Sequence, residues 1–249
     1  VPTVSALIIT KNEERNIAEC LASVAWTDER IVVDSGSTDK TVALATAAGA
    51  QVFERPWDGF GEAKNFGLQQ AHSDWILWID ADERPTPELT TELKEALAEA
   101  RASVAGYTMP RRANFLGRWI YHCGWYPGRV TRLFRRSKGR FTLHKVHERL
   151  ELDGQVEHLK SDLLHYTDPD LFHYFEKFNR YTSLAADELV HRSVRFRMSD
   201  ILVRPAWTFI RMYLIRQGFR DGLAGLILCV VSSVYVFVKY AKLWERGSR

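Results

Sequence analysis

Residues Trp75–Glu83 read Trp-Ile-Leu-Trp-Ile-Asp-Ala-Asp-Glu, an apolar run that stops at two acids one residue apart. So short and so apolar a run fits a central strand covered on both faces. The chain leaves it through Arg84-Pro85-Thr86-Pro87, which cannot continue a central strand. Asp80 and Asp82 are therefore expected at the carboxyl end of a buried strand, the edge where open α/β sheets hold their ligands. Acids there are costly unless paired or metal-bound. An Asp-X-Asp pair offers hard oxygen donors suited to Mg²⁺ or Mn²⁺ beside a diphosphate, although the same pair also occurs as solvated loop acids that cap a helix.

The chain before this run repeats the pattern. Val4–Ile9 reads as a strand and ends at Thr10-Lys11-Asn12-Glu13-Glu14, with helical spacing at Ile17, Leu21 and Val24 and Asn12 as the expected N-cap. Arg30–Val33 reads as a second strand that runs into Asp34-Ser35-Gly36-Ser37-Thr38-Asp39. A helix over Thr41–Ala48, a strand at Gln51–Phe53 and a helix over Gly61–Ala71 follow. Strands alternating with helices imply parallel pairing in right-handed βαβ units. The polar loops after the strands then gather on one edge and bring Thr10–Glu14, Asp34–Asp39 and Asp80–Asp82 together. Neither G-x-G-x-x-G nor G-x-x-x-x-G-K-[ST] occurs, which argues against a dinucleotide-binding domain and a P-loop nucleotidase.

The 249 residues hold 34 basic and 31 acidic side chains, a near-balance that argues against a nucleic-acid partner. Cys20, Cys123 and Cys229 are sparse and odd in number, which suits a reducing compartment. Val1–Thr10 has neither the basic start nor the cleavage site of a secretory leader, so the catalytic part is expected in the cytoplasm.

In order and spacing, Thr10-Lys11-Asn12-Glu13-Glu14, Val32-Val33-Asp34-Ser35-Gly36-Ser37-Thr38-Asp39, Lys64-Asn65-x-Gly67 and Ile79-Asp80-Ala81-Asp82-Glu83 resemble family two glycosyltransferases of the GT-A fold. They resemble in particular the bacterial lipopolysaccharide core β-glucosyltransferases. The resemblance implies an α/β fold with a mostly parallel nucleotide-binding sheet flanked by helices. It implies that Thr10, Asn12, Glu13 or Glu14, Asp34 and Lys64 line the nucleotide-sugar site. Asp34 would bond the uracil, Asp80 would face the ribose, and Asp82 would ligate Mg²⁺ or Mn²⁺. The family often has two consecutive acids where this chain has Asp34-Ser35.

The middle of the chain adds further candidates. Thr86-Pro87 opens a helix with a buried stripe at Leu89, Leu93 and Leu97. Gly106–Arg112 reads as a strand. The stretch Asn114–Gly128 is an aromatic loop whose rings suit either sugar stacking or core filling. Arg129, Arg132, Arg135 and Arg136 follow on a strand, either as a solvated basic surface or as a clamp on the donor diphosphate or a phosphorylated acceptor, with Arg129 and Arg132 as donor-binding residues. The sequence His144-Lys145-Val146-His147-Glu148-Arg149 precedes a hairpin signalled by Asp153-Gly154. By the family resemblance Glu148 is the catalytic base, with Asp162 in reserve, and His165 completes the metal shell. The alternative for Glu148 is a surface ion pair with Arg149 or Lys145, and for His165 a structural histidine.

A boundary is expected near Thr167–Asp170, giving a catalytic domain over 1–167 and a helical region over 168–249. Asp168-Pro169 starts a long helix, and arginines then interleave with aromatic residues from Arg192 to Arg220, a pattern that suits an anionic membrane surface. Gly222–Val238 carries no charge. It is a buried core helix, an in-plane or re-entrant helix, or a span.

The chain therefore reads as an inverting, metal-dependent enzyme that moves a sugar, with glucose favoured, from a UDP-sugar to a glycolipid such as the heptose of a lipopolysaccharide inner core. Its expected place is the cytoplasmic face of a bacterial inner membrane. The alternatives are a non-catalytic sugar- or lipid-binding protein and a sugar nucleotidyltransferase. The latter needs a Gly-rich basic loop after the first strand, and Thr10–Glu14 is not one.

Overall fold

The computed structural model describes residues 2–142 and 149–247, which form two compact units. The first comprises Val1–Arg111 and Arg129–His165, and the second Arg112–Gly128 and Tyr166–Arg249. The expected division at residue 167 lies two residues past the observed one. The aromatic excursion, assigned from sequence to the catalytic part, belongs to the C-terminal unit.

In the first unit β1 (Val4–Thr10), α1 (Ile17–Ser23), β2 (Glu29–Asp34), α2 (Thr41–Ala47), β3 (Gln51–Glu54), α3 (Phe60–Gln70) and β4 (Trp75–Asp80) follow in turn. Then come β5 (Glu83–Pro85), α4 (Pro87–Ala98) and β6 (Val104–Met109). Chain order next reaches β7 (Arg111–Phe115) and β8 (Arg118–Trp119), both of which lie mainly in the second unit. The chain returns with β9 (Val130–Arg135), β10 (Gly139–Phe141), β11 (Leu150–Leu152), β12 (Gln155–His158) and β13 (Leu163–Asp168). Among the described residues seven strands form the main sheet, in the order β12-β6-β9-β4-β1-β2-β3. Only β9 runs against its neighbours.

Alternation along the strands shows that both faces are covered. Ala6, Ile8, Val32, Trp75, Leu77 and Ile79 join the core under α1, α2 and α4, with Ile17, Leu21, Leu89 and Leu93. Leu7, Ile31, Val33 and Ile76 point the other way, to Ala63 of α3 and to Phe134 and Phe141. Gly67 permits the close approach of α3. A Cβ there would stand 2.3 Å from Leu7 Cδ1 and 3.2 Å from Val33 Cγ2.

Three local expectations are corrected. Asn12 does not cap α1. It has φ +57°, and its Oδ1 accepts the Thr38 amide at 2.8 Å, so the helix begins only at Ile17. The strand expected over Gly106–Arg112 is broken at Pro110, and β6 and β7 part there. Asp153-Gly154 does not close a hairpin. Gly154, at φ +141°, redirects the chain, so that β11 pairs with β10 while β12 joins the edge of the main sheet beside β6. By contrast, the Thr86 hydroxyl accepts the Leu89 amide at 3.1 Å, the cap read from sequence.

The second unit contains α5 (Leu171–His191), α6 (Met198–Ile210), a π-turn over Arg211–Ile215 and α7 (Gly222–Gly247). Its core packs Phe115, Ile120 and Cys123 of the excursion against Ala224, Leu228, Cys229 and Val231 of α7. The aromatic loop thus divides: Phe115 fills core while Tyr121 remains exposed. The Asp221 carboxylate ties the two segments by accepting the His122 amide and ring Nδ1, each at 2.8 Å. Gly225 lies so close to Gly218 that a Cβ would stand 2.1 Å from the Gly218 carbonyl oxygen.

Candidate active site

The register of the sheet places the polar strand ends side by side. Thr10 is opposite Asp34 across β1 and β2, and Ile9 is opposite Asp80 across β1 and β4. Since these strands are parallel, the loops after β1, β2 and β4 lie on one edge of the sheet.

The first two loops lock together. The Asn12 amide donates to Ser37 Oγ at 2.8 Å, and the Glu13 amide to Thr41 Oγ1 at 2.7 Å. Glu14 and Lys40 also bond across the pair, since Glu14 Oε2 accepts the Lys40 amide at 3.1 Å. Asp34 is fully buried. Its Oδ2 accepts the Gly36 and Ser37 amides at 2.9 and 2.8 Å, and its Oδ1 accepts the Ser37 hydroxyl. The carboxylate therefore shapes its own loop. Thr10 Oγ1 is buried with no hydrogen-bond partner, an uncommon state for a hydroxyl.

At the third loop, Asp80 ends β4 and Asp82 sits in the turn before β5. Strand β13 runs antiparallel to β5 and sets His165 opposite Glu83. This brings His165 Nε2 to 3.3 Å from Asp82 Oδ2, joining the two residues expected to ligate a metal. Two cis ligands of an octahedral Mg²⁺ or Mn²⁺ stand about 3 Å apart, so this pair fits one ion. Among the described residues no group of three His, Cys, Asp or Glu side chains converges as a fuller shell. Two protein donors leave room for diphosphate oxygens and water, as Mg²⁺-type sites commonly do.

Beneath Asp80 lies a buried charge network that sequence reasoning did not assign. Arg132 Nη2 donates to Asp80 Oδ2 at 2.5 Å and to Glu83 Oε1 at 2.6 Å. Arg111 Nη1 reaches the same Glu83 oxygen at 3.2 Å, and Glu83 Oε2 accepts the Asp80 amide at 3.1 Å. The Arg132 guanidinium stacks 3.6 Å from the centre of Trp78, and Lys64 Nζ lies 4.1 Å from the same ring. Burial raises the Asp80 pKa, but Arg132, Lys64, His165 and Arg111 outweigh it, so the carboxyl titrates below its usual range. Burial pulls the Arg132 pKa down, and Asp80 and Glu83 more than restore it, so the guanidinium stays charged. The sequence marked Glu83 only as an acid directly after Asp-X-Asp, and its arginine partners come from strands that become neighbours in the fold.

Arg129, also expected at the donor, donates through Nη1 to the Leu159 carbonyl at 2.9 Å. Arg135 and Arg136 bond backbone carbonyls, at Val104 and Ser73. Lys64 is buried among Phe60, Trp78 and Phe141. Its neighbour Asn65 brackets the Phe141 backbone, donating to the carbonyl at 2.7 Å and accepting the amide at 3.1 Å. Glu148, the expected base, lies outside the described residues. The chain on either side of that stretch is pinned, with the Thr142 amide on the Arg149 carbonyl at 2.9 Å and the Arg149 amide on Thr142 Oγ1 at 2.8 Å. Asp162 accepts the Thr86 amide through its backbone carbonyl at 3.3 Å.

Residues 5–158 match the sequence model of Glycosyl transferase family 2. The lipopolysaccharide core biosynthesis glycosyltransferase LpsC of Rhizobium meliloti (strain 1021) is 35% identical over 97% of this chain and 92% of its own length. The uncharacterized glycosyltransferase RT0209 of Rickettsia typhi is 30% identical over 97% of this chain and 87% of its own. Among solved structures, glucosyl-3-phosphoglycerate synthase from Mycobacterium tuberculosis, in complex with Mn²⁺, UDP and glucosyl-3-phosphoglycerate, superposes with a TM-score of 0.52. That alignment is 22% identical over 78% of this chain and 81% of that one, a likeness of fold. With its sheet, its aligned strand-end acids and these relatives in agreement, the chain belongs to glycosyl transferase family 2.

Proposed function

We propose that this glycosyltransferase moves a hexose, with glucose favoured, from a UDP-sugar to a lipopolysaccharide-core glycolipid, with inversion and with dependence on Mg²⁺ or Mn²⁺. The observation that carries the reading is the Asp82–His165 pair at 3.3 Å, on the same sheet edge as Thr10 and Asp34. Asp82 and His165 would hold the cation, which when bound neutralises charge on the leaving diphosphate. Thr10 Oγ1, buried and unpartnered, supplies a hydrogen bond for the nucleoside. Arg132, anchored by Glu83, keeps Asp80 ionised and aimed at the ribose.

In the transfer the acceptor hydroxyl oxygen bonds to the anomeric carbon while the bond from that carbon to the diphosphate oxygen breaks, and UDP departs with the electron pair. Glu148 takes the hydroxyl proton. LpsC supports a lipopolysaccharide-type acceptor, and the UDP-bound synthase supports a UDP-sugar donor. The helical segment Gly218–Gly247, whose most apolar 18-residue stretch has a mean hydropathy of 2.0, supports work at a membrane, and the cytoplasmic face of the inner membrane is the proposed side.

The test is incubation of the chain with UDP-glucose, Mn²⁺ and lipopolysaccharide truncated to its inner core. The expected product is β-linked glucose on heptose, with no transfer in the presence of a chelator. Transfer that persists without metal, or only from a non-uridine donor, would overturn the reading.

A further inference from the structure

Contacts inside the C-terminal unit bear on how it meets a membrane. Helix α7 is apolar enough to cross a bilayer, but its neighbours are wrong for that. Tyr235 Oη donates to the Tyr181 carbonyl at 3.2 Å. Lys242 Nζ bonds Asn179 Oδ1, Thr182 Oγ1 and Ser183 Oγ, each at 2.8 Å. Arg246 reaches Asp187 at 3.3 Å. The second half of α7 therefore runs along α5, which carries Glu176, Lys177, Arg180, Asp187 and Glu188 and cannot enter hydrocarbon. The remainder, residues 222–234, is about 20 Å long at the helical rise, short of the ~30 Å core of a bilayer. Its Ala224, Leu228, Cys229 and Val231 are moreover already buried against the excursion.

Helix α6 has the opposite character. Met198, Leu202 and Trp207 of α6, and Leu214 of the π-turn that follows it, are 61%, 63%, 54% and 57% exposed, and Val203 and Ile210 lie among them at helical spacing. From Arg192 to Arg220 the chain carries seven arginines and a single acid, Asp200, which is buried and paired with Arg204. Arg195, Arg197, Arg211, Arg216 and Arg220 are exposed. An apolar face edged by arginine and carrying a tryptophan complements the anionic headgroup region of a leaflet.

We infer that the C-terminal unit is a monotopic anchor. The face formed by Met198, Leu202, Val203, Trp207 and Ile210 of α6 and Leu214 of the π-turn after it lies in the plane of an anionic leaflet, and α7 stays on the protein side without crossing. This deepens the membrane part of the proposed function and rests on that reading for its biological use, although the binding itself does not need it.

The experiment floats the full chain with vesicles of phosphatidylglycerol and phosphatidylethanolamine, and separately with phosphatidylcholine alone. Binding to the anionic vesicles is expected to be at least tenfold tighter. The double variant L202E/W207E should lose tenfold or more, and R195Q/R211Q/R216Q should lose the anionic preference. The native cysteines are buried, so E245C gives one reactive thiol. It should react fully with an impermeant maleimide added outside the vesicles. Protection of that thiol, unchanged flotation of L202E/W207E, equal binding to phosphatidylcholine, or a wild-type dimer that the double variant splits would each overturn the inference. A thermal shift with UDP and Mn²⁺, run on every variant, reports an intact first unit. If wild type floats as described but UDP gives no shift, the donor reading fails and the anchor stands.

Discussion

His165 Nε2 faces Asp82 Oδ2 at 3.3 Å because β13 returns antiparallel beside β5 and sets His165 against Glu83. A short strand far along the chain thus delivers an imidazole nitrogen to the turn after β4. Asp82→Asn should lower transfer by about 100-fold or more, and His165→Ala by about tenfold or more, through weaker metal-dependent binding of UDP. Calorimetric titration of UDP with and without Mn²⁺ checks this. Wild-type UDP affinity in both variants, equally stimulated by Mn²⁺, would remove the pair from the metal site.

Glu83 is fully buried and shared by Arg132 and Arg111. Glu83→Ala should destabilise the fold by about 3 kcal/mol or more, because it strands buried positive charge. In a double-mutant cycle, Arg132→Met should cost less in the Glu83→Ala background than alone. Additive melting shifts would show that the two side chains do not act as a unit.

Thr10→Val separates architecture from binding. Removing a buried hydroxyl that has no protein partner should leave the melting temperature unchanged or slightly raised. If the hydroxyl bonds the donor, UDP should bind about fivefold to tenfold more weakly, the worth of roughly 1 kcal/mol. A fall in stability with unaltered UDP affinity would refute the assignment.

Glu92 of α4 accepts the Lys160 and Ser161 amides, each at 2.8 Å, and so fixes the approach to β13 and His165. Burial raises its pKa, but the Ser161 and Lys160 amides outweigh it and the net shift is downward. Its stabilising contribution is therefore complete above the unfolded value of about 4.3 and is lost as pH falls through the lower folded value. Denaturant unfolding of wild type and Glu92→Gln should converge as the pH is lowered through that window. Curves that stay parallel would exclude the linkage.

Gly67→Ala should cost about 1–3 kcal/mol, since the new methyl would meet Leu7 and Val33 in a packed core. Chemical denaturation reads this directly, and a variant as stable as wild type would show that α3 can move off the sheet.

Much of the fold was legible because apolar runs and punctuation are local. Val4–Thr10, Glu29–Asp34 and Trp75–Asp80 announce themselves by composition, and parallel pairing follows from the helices between them. The same locality misled at Asn12 and at Asp153-Gly154, where a cap and a hairpin were the nearest local solutions. The left-handed Asn12 instead bonds a neighbouring loop, and Gly154 sends the chain to a distant sheet edge. The shared roles of Glu83 and Arg132 were invisible for a related reason: an ion pair depends on which strands become neighbours, and β9 enters the sheet antiparallel, next to β4, from far along the chain.

The sequence by itself determined the alternating α/β order, the acids at the strand ends and the apolar, arginine-edged character of the last third, because each is a matter of residue type and spacing. Tertiary structure alone decided that His165 meets Asp82, that Arg132 is held between Asp80 and Glu83, and that α7 lies against a charged helix. Those are long-range proximities, and they are fixed by strand register and helix packing rather than by any local preference of the chain.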